Sequence, residues 1–317
     1  MTVSIEIQKI GILLIPTAQL SAVLGLTDLF ETAECLRVQR GAPPKGLQVL
    51  HVRPEDGLPP PEVPLTAIIL PPSLNPGASS DPTGQLVPWL LARRQEGTVL
   101  CSVCAGAFLL AETGLLNGRP ATTHWAAAER FSKRFPEVLL DTDKLVIDEG
   151  DLITAGGLMA WVDLGLKLVE RCLGPAVMVA TARYLLVDPG GREQRFYSDF
   201  IPHLTHSDTA ILQVQHWLQT RSSDKITLAM MAAEAKLGAR TFLRRFQKAT
   251  QLNPIAYLQQ LRAGKARELL ELSSLGVDEI AWQVGYQDPS AFRKIFRRLT
   301  GLSPSEYRHR FTLPQKA

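Results

Sequence analysis

The stretch VLCSVCAGAFLLAETG, residues 99–114, joins a short run of β-forming apolar residues to a helical pattern through one tight corner. That corner is Cys104-Ala105-Gly106. A thiol placed where a strand turns into a helix occupies the position that several α/β enzymes use for a nucleophile. The stretch therefore predicts an α/β domain with a candidate functional site at Cys104.

Short apolar runs alternate with helical patterns on both sides of this corner. The runs are KIGILLI, GLQVLHV, TAIILPP and TVLCSV, and the helical patterns cover 21–38 and 84–95. This alternation predicts a mostly parallel sheet sandwiched by helices, a flavodoxin-like α/β fold. The pair KLVIDEG and DLITAGG predicts a hairpin turning near Glu149-Gly150, and helices are expected over 161–172 and 175–187.

The composition is that of a globular protein with room for two cores. Of 317 residues, 45% are hydrophobic and 21% are charged, which excludes a disordered chain. Glu6 stands where a secretory signal would be cationic, and no apolar stretch reaches the length of a membrane span. We therefore expect a cytoplasmic protein with no membrane association.

Four cysteines are too few and too scattered for a disulfide framework. Cys101 and Cys104 form a CxxC pair, which leaves open a redox pair or half of a metal site. No second CxxC and no nearby pair of histidines completes a metal site. We expect neither a metal nor another cofactor.

The net charge of +3 hides an asymmetry between the two ends of the chain. From Asp224 onward Lys and Arg number 16 against 8 Asp and Glu, a net charge of +8, whereas the preceding residues carry −5. A cationic last third is expected of a module that binds a polyanion. The acidic front part is not expected to bind DNA.

An internal repeat with an offset of fifty residues occupies the cationic third. The recurring pairs are Phe242 and Phe292, Phe246 and Phe296, Thr250 and Thr300, Leu252 and Leu302, Pro254 and Pro304, and Tyr257 and Tyr307. Each unit has the pattern of a helix, a turn, a basic helix and then a helix opened by proline. The repeat predicts an all-α domain with two helix-turn-helix units.

The second helix of each unit is basic on its exposed faces. The first is predicted to bury Phe242 and Phe246, and the second to bury Ala291 or Phe292 with Ile295, Phe296 and Leu299. Basic helices of this size can enter the major groove, where Arg reads guanine and further cations neutralise phosphates. The alternative is that these are ordinary solvated faces. The residues expected to contact DNA are Arg240, Thr241, Arg244, Arg245 and Lys248 in the first unit, and Ser290, Arg293, Lys294, Arg297 and Arg298 in the second.

The segment IAWQVGYQDPSAFRKIFRRLTGLSPSEYR, residues 280–308, resembles the signature of the AraC/XylS family of transcription regulators. The resemblance covers about ninety residues. It implies two recognition helices in successive major grooves of one DNA face, joined by a linker helix over 254–272. Two positions depart from the family pattern: Lys294 replaces Arg, and Gly238 stands where a Ser cap is common.

The front part has its own resemblance. VCAGAFLLAETGLLNGRPATTHW, residues 103–125, is similar to PfpI-type domains of the class I glutamine amidotransferase-like superfamily, which place Cys at the corner and His about twenty residues later. Cys104 and His124 fill these positions. With Ala105 and Trp125 they are the candidate residues of a ligand pocket, and Trp125 and Trp161 are candidates for stacking on a ligand.

Two departures from the catalytic PfpI pattern argue against an enzyme. The resemblance places Ala22 where catalytic relatives have an acid, and Pro71-Pro72-Ser73 where they have a Gly-rich oxyanion turn. A proline cannot donate a backbone N–H. Three interpretations of the pocket remain: a sensor of a small molecule without turnover, a dimerisation scaffold with a vestigial pocket, or residual catalysis.

The sequence divides into a PfpI-type sensor and dimerisation domain over 1–195, a linker with a helix over 196–222, and a DNA-binding domain over 223–317. Its helix-turn-helix units are expected at about 226–250 and 277–300. The predicted function is a sequence-specific transcription regulator that binds double-stranded promoter DNA as a homodimer, with a small-molecule effector and contact with RNA polymerase as further partners. The alternatives are a cysteine-dependent hydrolase or deglycase with a fused basic domain, and an RNA-associated basic protein.

Overall fold

The computed structural model describes residues 7–43, 46–74, 84–190 and 192–312. The chain divides into two compact units, Met1–Gln194 and Arg195–Ala317. Within the described residues, no helix combines the length and the apolar character needed to cross a bilayer.

The first unit alternates strands and helices along most of its length, as the apolar runs predict. Its strands are β1 (Gln8–Leu13), β2 (Leu47–Val52), β3 (Ala67–Leu70), β4 (Val99–Val103), β5 (Pro120–Ala121), β6 (Leu139–Leu140), β7 (Val146–Asp148) and β8 (Leu152–Ala155). Its helices are α1 (Leu20–Gln39), α2 (Leu86–Gln95), α3 (Gly106–Glu112), α4 (Ala128–Arg134), α5 (Trp161–Leu173) and α6 (Pro175–Tyr184).

The described residues form a six-stranded sheet in the order β2-β1-β3-β4-β8-β7 and a separate two-stranded pair, β5-β6. Within the larger sheet only the β7–β8 pair is antiparallel, and this pair is the predicted hairpin. Because side chains alternate across a strand, Cys101 and Val103 face α1, α5 and α6, whereas Leu100 faces α2, α3 and α4. The predicted sheet sandwiched by helices is confirmed.

The second unit is helical throughout its regular structure. Its helices are α7 (Thr209–Arg221), α8 (Leu228–Glu234), α9 (Ala239–Thr250), α10 (Pro254–Leu272), α11 (Val277–Gln283), α12 (Pro289–Thr300) and α13 (Pro304–Phe311). The cap of α7 is Asp208, whose side chain accepts a hydrogen bond from the amide of Ile211. The helix therefore starts at Thr209, inside the segment 196–222 that the sequence assigns to a linker with a helix.

Helix α10 connects two small cores within the second unit. Tyr257 and Leu258 near its start pack with α7, α8 and α9, whereas Ala266 and Leu270 near its end pack with α11, α12 and α13. At 1.5 Å per residue this helix is about 28 Å long. It is the linker helix that the resemblance implies.

The fifty-residue repeat is preserved in the hydrogen bonds and not only in the side-chain types. Thr250 Oγ1 donates to the carbonyl of Phe246 at 2.8 Å and accepts from the amide of Leu252 at 3.2 Å. Thr300 makes the same bonds, to Phe296 at 2.9 Å and from Leu302 at 3.3 Å. The ring pairs Phe246–Tyr257 and Phe296–Tyr307 both meet edge to face, at centroid distances of 5.3 and 5.5 Å.

The buried stripe of α12 differs from the predicted one. Phe292, Phe296 and Thr300 are buried, whereas Ile295 and Leu299 are only partly buried. Thr300 lies outside the predicted stripe, and its buried hydroxyl is satisfied because it donates to the carbonyl of Phe296. The stripe therefore follows a four-residue spacing through Phe292, Phe296 and Thr300.

Candidate functional site

The two recognition helices begin differently. Helix α12 starts at Pro289 after Asp288, whose carboxylate accepts hydrogen bonds from the amides of Ser290 and Ala291. Helix α9 follows Gly238, which supplies no side-chain cap. Apart from Gly238 and its two chain neighbours, no described heavy atom lies within 4 Å of the position that a Cβ would take there, so the missing cap is not imposed by crowding.

Most of the predicted DNA-contacting side chains on α9 are exposed and have no partner among the residues that the structure describes. Arg240, Thr241, Arg244 and Lys248 are exposed, and their side chains make no hydrogen bond or ion pair to any other residue that the structure describes. An unpaired guanidinium on an exposed helix face keeps all its donors available for a ligand.

Arg245 is different from its neighbour Arg244. Its Nε and a terminal nitrogen donate to the two carboxylate oxygens of Asp208, at 2.8 and 2.6 Å. The hydrogen bond from Arg245 holds the pKa of Asp208 below its ordinary value, as does the amide of Ile211. Arg245 therefore connects α9 to the start of α7.

On α12 the predicted residues Ser290, Arg293, Lys294, Arg297 and Arg298 are all exposed. Arg293 forms an exposed ion pair with Asp278 on α11, and Arg298 donates to Oε1 of Gln259 on α10 at 2.8 Å. Exposed pairs of this kind contribute about 0 to 1 kcal/mol, so a phosphate or a base edge can replace the protein partner.

Sequence reasoning did not identify Asp208, Asp278 or Gln259 as partners of the basic helices. The capping signal of Asp208 is visible in the sequence, but its second role toward Arg245, 37 positions away, has no local signal. The same holds for Gln259, which is 39 positions from Arg298.

In the first unit the corner at Cys104 has a constrained backbone. Cys104 has a φ of 52°, its amide donates to the carbonyl of Ala155 at 2.7 Å, and its carbonyl accepts from Thr123 Oγ1 at 2.8 Å. Left-handed backbone at a residue other than glycine costs on the order of 1–3 kcal/mol and recurs at functional sites. At the next turn, a Cβ on Gly106 would lie 2.3 Å from the carbonyl oxygen of Leu70, so only glycine fits.

This corner borders a cleft of about 320 Å³. The residues that line it are Ser73, Leu74, Cys104, Ala105, His124, Ala126, Ala127, Arg130 and Leu158. Three of the four candidate pocket residues therefore meet there, namely Cys104, Ala105 and His124. Arg130 was not foreseen, and it places a guanidinium over the ring of Phe108 at 4.6 Å.

The thiol and the imidazole of the cleft are both held in neutral forms. Burial raises the pKa of Cys104 to about 11, against a smaller lowering by the amide of Ala105. Burial lowers the pKa of His124. His124 Nδ1 accepts a hydrogen bond from the amide of Ala126 at 3.1 Å, so the neutral ring carries its proton on Nε2. The cleft can therefore donate hydrogen bonds, but it does not supply a thiolate at neutral pH.

The two departures from the catalytic pattern are Ala22 on α1 and Pro71-Pro72-Ser73 directly after β3. Ala22 is fully buried and carries no acidic group. The carbonyl of Pro72 accepts from the amide of Gln19 at 2.7 Å, and the carbonyls of Leu70 and Pro71 lie against Gly106. The carbonyls of this turn are thus packed against Gln19 and Gly106, and its two prolines have no backbone N–H to donate to an oxyanion.

The two tryptophans lie outside the wall of the cleft. The amide of Trp125 donates to Oε1 of Gln194 at 3.0 Å, and its ring lies 5.4 Å from that of His124. The ring of Trp161 packs against Gly25 on α1, where a Cβ would come within 2.5 Å of it. Trp161 therefore fills the contact between α1 and α5, and the structure does not place it for stacking on a ligand in this cleft.

Comparison with known proteins gives two family matches along the chain. A helix-turn-helix domain family matches residues 231–310, and the DJ-1/PfpI family matches residues 75–171.

Whole-chain comparisons find transcription regulators with both parts. The chain is 30% identical to the HTH-type transcriptional regulator CdhR of Pseudomonas aeruginosa over 238 residues, 74% of this chain and 69% of that protein. It is 28% identical to the HTH-type transcriptional regulator GbdR of the same species over 233 residues, 73% of this chain and 63% of that protein. The match thus spans about two thirds of the length of these relatives.

Among solved structures, an AraC family transcriptional regulator from Pseudomonas putida is similar over 56% of this chain and 99% of its own, at 17% identity and a TM-score of 0.48. Drosophila melanogaster DJ-1beta is similar over 58% of this chain and 100% of its own, at 19% identity and a TM-score of 0.46. The family matches, the relatives and the paired helix-turn-helix units lead to one conclusion: the chain belongs to the AraC-type transcriptional regulators that carry a DJ-1/PfpI domain.

Proposed function

We propose that this regulator binds promoter DNA through α9 and α12 and that its DJ-1/PfpI domain binds a small molecule without turning it over. The observation that carries the DNA-binding part is that Arg240 and Arg244 on α9 are exposed and pair with no other residue that the structure describes. Such a cation gives up no ion pair within the described part of the chain when it meets a base or a phosphate. The equivalent face of α12 carries Arg293, whose ion pair is exposed and easily exchanged.

The basic side chains divide into two roles in this proposal. Residues near the start of each recognition helix, namely Arg240, Thr241, Arg244, Ser290 and Arg293, read base edges in the major groove. Residues further along, namely Lys248, Lys294, Arg297 and Arg298, neutralise phosphates and set the register. Arg245 supports α9 through Asp208.

The proposal of a sensor without turnover rests on the neutral groups at the cleft. Nucleophilic attack requires a thiolate, and a thiol with a pKa of about 11 is almost wholly protonated at pH 7. Ala22 offers no acid, and the two prolines of the turn after β3 have no backbone N–H to donate. The same cleft can hold a small molecule through the Nε2–H of His124, the guanidinium of Arg130 and its apolar walls.

Assembly completes the proposal. Two copies, paired through the first unit, would place two DNA-binding modules on one promoter and raise the overall affinity by effective concentration. Effector binding would favour one arrangement of the pair over another, and the bound regulator would contact RNA polymerase on the nucleoid. Sedimentation of the full chain with and without promoter DNA measures the pairing, and a monomer at micromolar concentration would remove this part.

The DNA-binding part is tested by selecting sites for the full chain from random duplex DNA and measuring the affinity by fluorescence anisotropy. The triple variant Arg240→Ala, Arg244→Ala, Arg293→Ala should lose most of its preference for the selected site. The matched control is Lys133→Ala, Lys167→Ala, Lys9→Ala, which removes three charges from the first unit. Equal affinities for both variants, with no dependence on salt, would contradict the proposal.

Turnover is tested separately. Full chain and its Cys104→Ser variant are incubated with amide, aldehyde and glycated-peptide substrates. We expect no difference between them above background. Product formed by the native chain and abolished in Cys104→Ser would establish the hydrolase or deglycase alternative.

A further inference from the structure

Residues 195–206, which precede α7 and which the sequence assigns largely to a linker, lie against the DNA-binding helices. We call these residues the strap. They belong to the second compact unit, and the strap starts directly after Gln194, the last residue of the first unit. Its contacts reach both helix-turn-helix halves.

The first half of the strap is held by one buried arginine of α10. Arg267, only 7% exposed, donates to the carbonyls of Ser198 and Arg195, the latter at 3.2 Å. It also donates to Oδ1 of Asp199 at 2.8 Å. The guanidinium lies 5.6 Å from the ring centre of Tyr307 in the second core. One side chain thus fixes two carbonyls and one carboxylate of the strap.

The same half of the strap lies against the end of the second recognition helix. Gly301 caps α12 with a φ of 82°, and a Cβ there would lie 2.4 Å from Arg195 Nε and 2.7 Å from a ring carbon of Phe196. Arg310 of α13 lies over Phe196 at 5.1 Å and donates to the hydroxyl of Tyr197 at 3.1 Å. The close approach leaves the end of α12 little freedom to move away from the strap.

The second half of the strap is part of the other helix-turn-helix core. Phe200 meets Tyr257 edge to face at 5.0 Å. Gln215 of α7 donates to the carbonyl of His203 at 3.0 Å and to Tyr257 Oη at 3.1 Å. His206 then bonds Gln215 Oε1 at 2.7 Å. Beyond the strap, Asp208 is bound to Arg245 of the first recognition helix.

The strap is therefore a second connection between the two halves, beside α10. A single helical rod fixes the distance between two recognition helices but resists their relative rotation only through its own packing. A second connection at a different place adds a constraint on that rotation. Its two ends contact the elements that must be in register on DNA: the end of α12 and, through Asp208, the middle of α9.

We propose that the strap sets the mutual geometry of α9 and α12 and that Arg267 is its main positioning residue. The proposal rests on DNA binding by both recognition helices, as set out above. It assigns Arg267 no contact with DNA. The chain leaves the first unit at Gln194 and enters the strap at Arg195. The first strap residues, which contact the end of α12, therefore follow the first unit directly in the sequence.

The test uses the full chain and duplexes built from the selected site. One set carries both half-sites at the native spacing or with one base pair added or removed between them, and the other carries each half-site alone. For Arg267→Gln we expect the affinity for the duplex with both half-sites at native spacing to fall about tenfold, because the second recognition helix is no longer held in position for its half-site. The affinity for each half-site alone should change less than twofold. The loss of affinity caused by adding or removing one base pair should be smaller in this variant than in the native chain.

Three further variants separate positioning from charge and folding. Lys265→Gln removes the same charge two residues away on α10 and should leave all affinities unchanged. Arg267→Lys keeps the charge without the fork of donors, and it should behave like Arg267→Gln. Asp199→Asn alters the strap residue whose carboxylate binds Arg267, and it should give a smaller change in affinity of the same kind. This variant tests the proposal if Arg267→Gln fails to fold.

The outcomes are distinct. The proposed role of the strap would be overturned if affinity fell equally on single and paired half-sites. It would also be overturned if Arg267→Gln and Asp199→Asn both kept the native preference for half-site spacing. If the native chain selected no site, or gained no affinity from a second half-site, the proposed mode of DNA binding would be wrong, and the role proposed for the strap would be wrong with it. Selective loss on the paired duplex would establish Arg267 as a positioning residue.

Discussion

The carboxylate of Asp208 accepts two hydrogen bonds from Arg245, at 2.8 Å from Nε and 2.6 Å from a terminal nitrogen. The same carboxylate caps α7 by accepting from the amide of Ile211 at 3.2 Å. One residue thus holds the start of α7 and the middle of the first recognition helix together. The neighbouring Arg244 is exposed and free of any such pairing with the residues that the structure describes.

Arg244 and Arg245 should therefore respond differently to substitution. Arg244→Ala should cost about 1–3 kcal/mol on the selected site and relax the base preference at one position. Arg245→Ala should instead lower the melting temperature of the second unit. Asp208→Asn keeps the cap but weakens the ion pair, and it should reproduce the stability loss without changing base preference. A changed base preference in Arg245→Ala alone would show that Arg245 reads DNA.

Arg298 and Arg293 should differ in sequence dependence. Arg298, which donates to Gln259, is expected to contact phosphate, so Arg298→Ala should weaken all duplexes evenly and reduce the slope of log affinity against log salt by about 1. Arg293→Ala should weaken the selected site more than random DNA. Anisotropy titrations at four salt concentrations measure both. Identical profiles for the two variants would contradict this division.

The Cys104 thiol should be slow to alkylate at neutral pH. Its pKa is raised to about 11 by burial, so the protonated form dominates below that pH. The thiolate fraction, and with it the rate of reaction with iodoacetamide, should rise about tenfold per pH unit between pH 7 and 10. Peptide mass spectrometry follows this rate, with the exposed Cys35 as the internal reference. Modification of Cys104 at pH 7 as fast as that of Cys35 would refute the buried, neutral thiol.

The paired threonines should have similar energetic weight. Thr250→Val and Thr300→Val each keep the shape of the side chain but remove the hydroxyl that bonds the carbonyl four residues earlier and the next turn. Each should destabilise the second unit by about 1 kcal/mol, measured by urea unfolding. The double variant should show nearly additive losses, because the two residues lie in different cores. If only one of the two variants lost stability, the two threonines would not contribute equally to the free energy of unfolding.

Two glycines in helices should respond to alanine with opposite signs. At Gly106 a Cβ would lie 2.3 Å from the carbonyl oxygen of Leu70, so Gly106→Ala must displace backbone and destabilise the first unit. At Gly264 of α10 no described heavy atom lies within 4 Å of that position, apart from the glycine, its two chain neighbours and the nearby backbone of the helix. Gly264→Ala should stabilise the second unit by about 0.5–1 kcal/mol through helix propensity. Calorimetry of the full chain resolves the two effects, and stabilisation by Gly106→Ala would refute the close approach.

Much of the fold follows from local patterns. The alternation of apolar runs with helical stretches predicts the parallel sheet between two layers of helices, because parallel neighbouring strands need a crossover connection and a helix supplies it. The fifty-residue repeat predicts both helix-turn-helix units, the buried Phe242 and Phe292, and the helix that joins the units. At the candidate site the sequence identifies the Cys104 corner, His124 and the exposed cations of α9 and α12.

The sequence alone determined which aromatic residues each recognition helix buries, because the period of a hydrophobic pattern is a property of neighbouring residues. It did not predict that Thr300 is buried while Ile295 and Leu299 stay partly exposed. Only the tertiary structure decided which polar groups meet. Arg245 faces Asp208, and Arg267 holds residues about seventy positions away. Periodicity fixes the direction of a side chain but not the identity of a distant partner, so the strap and the distinction between Arg244 and Arg245 appear only when the chain is folded.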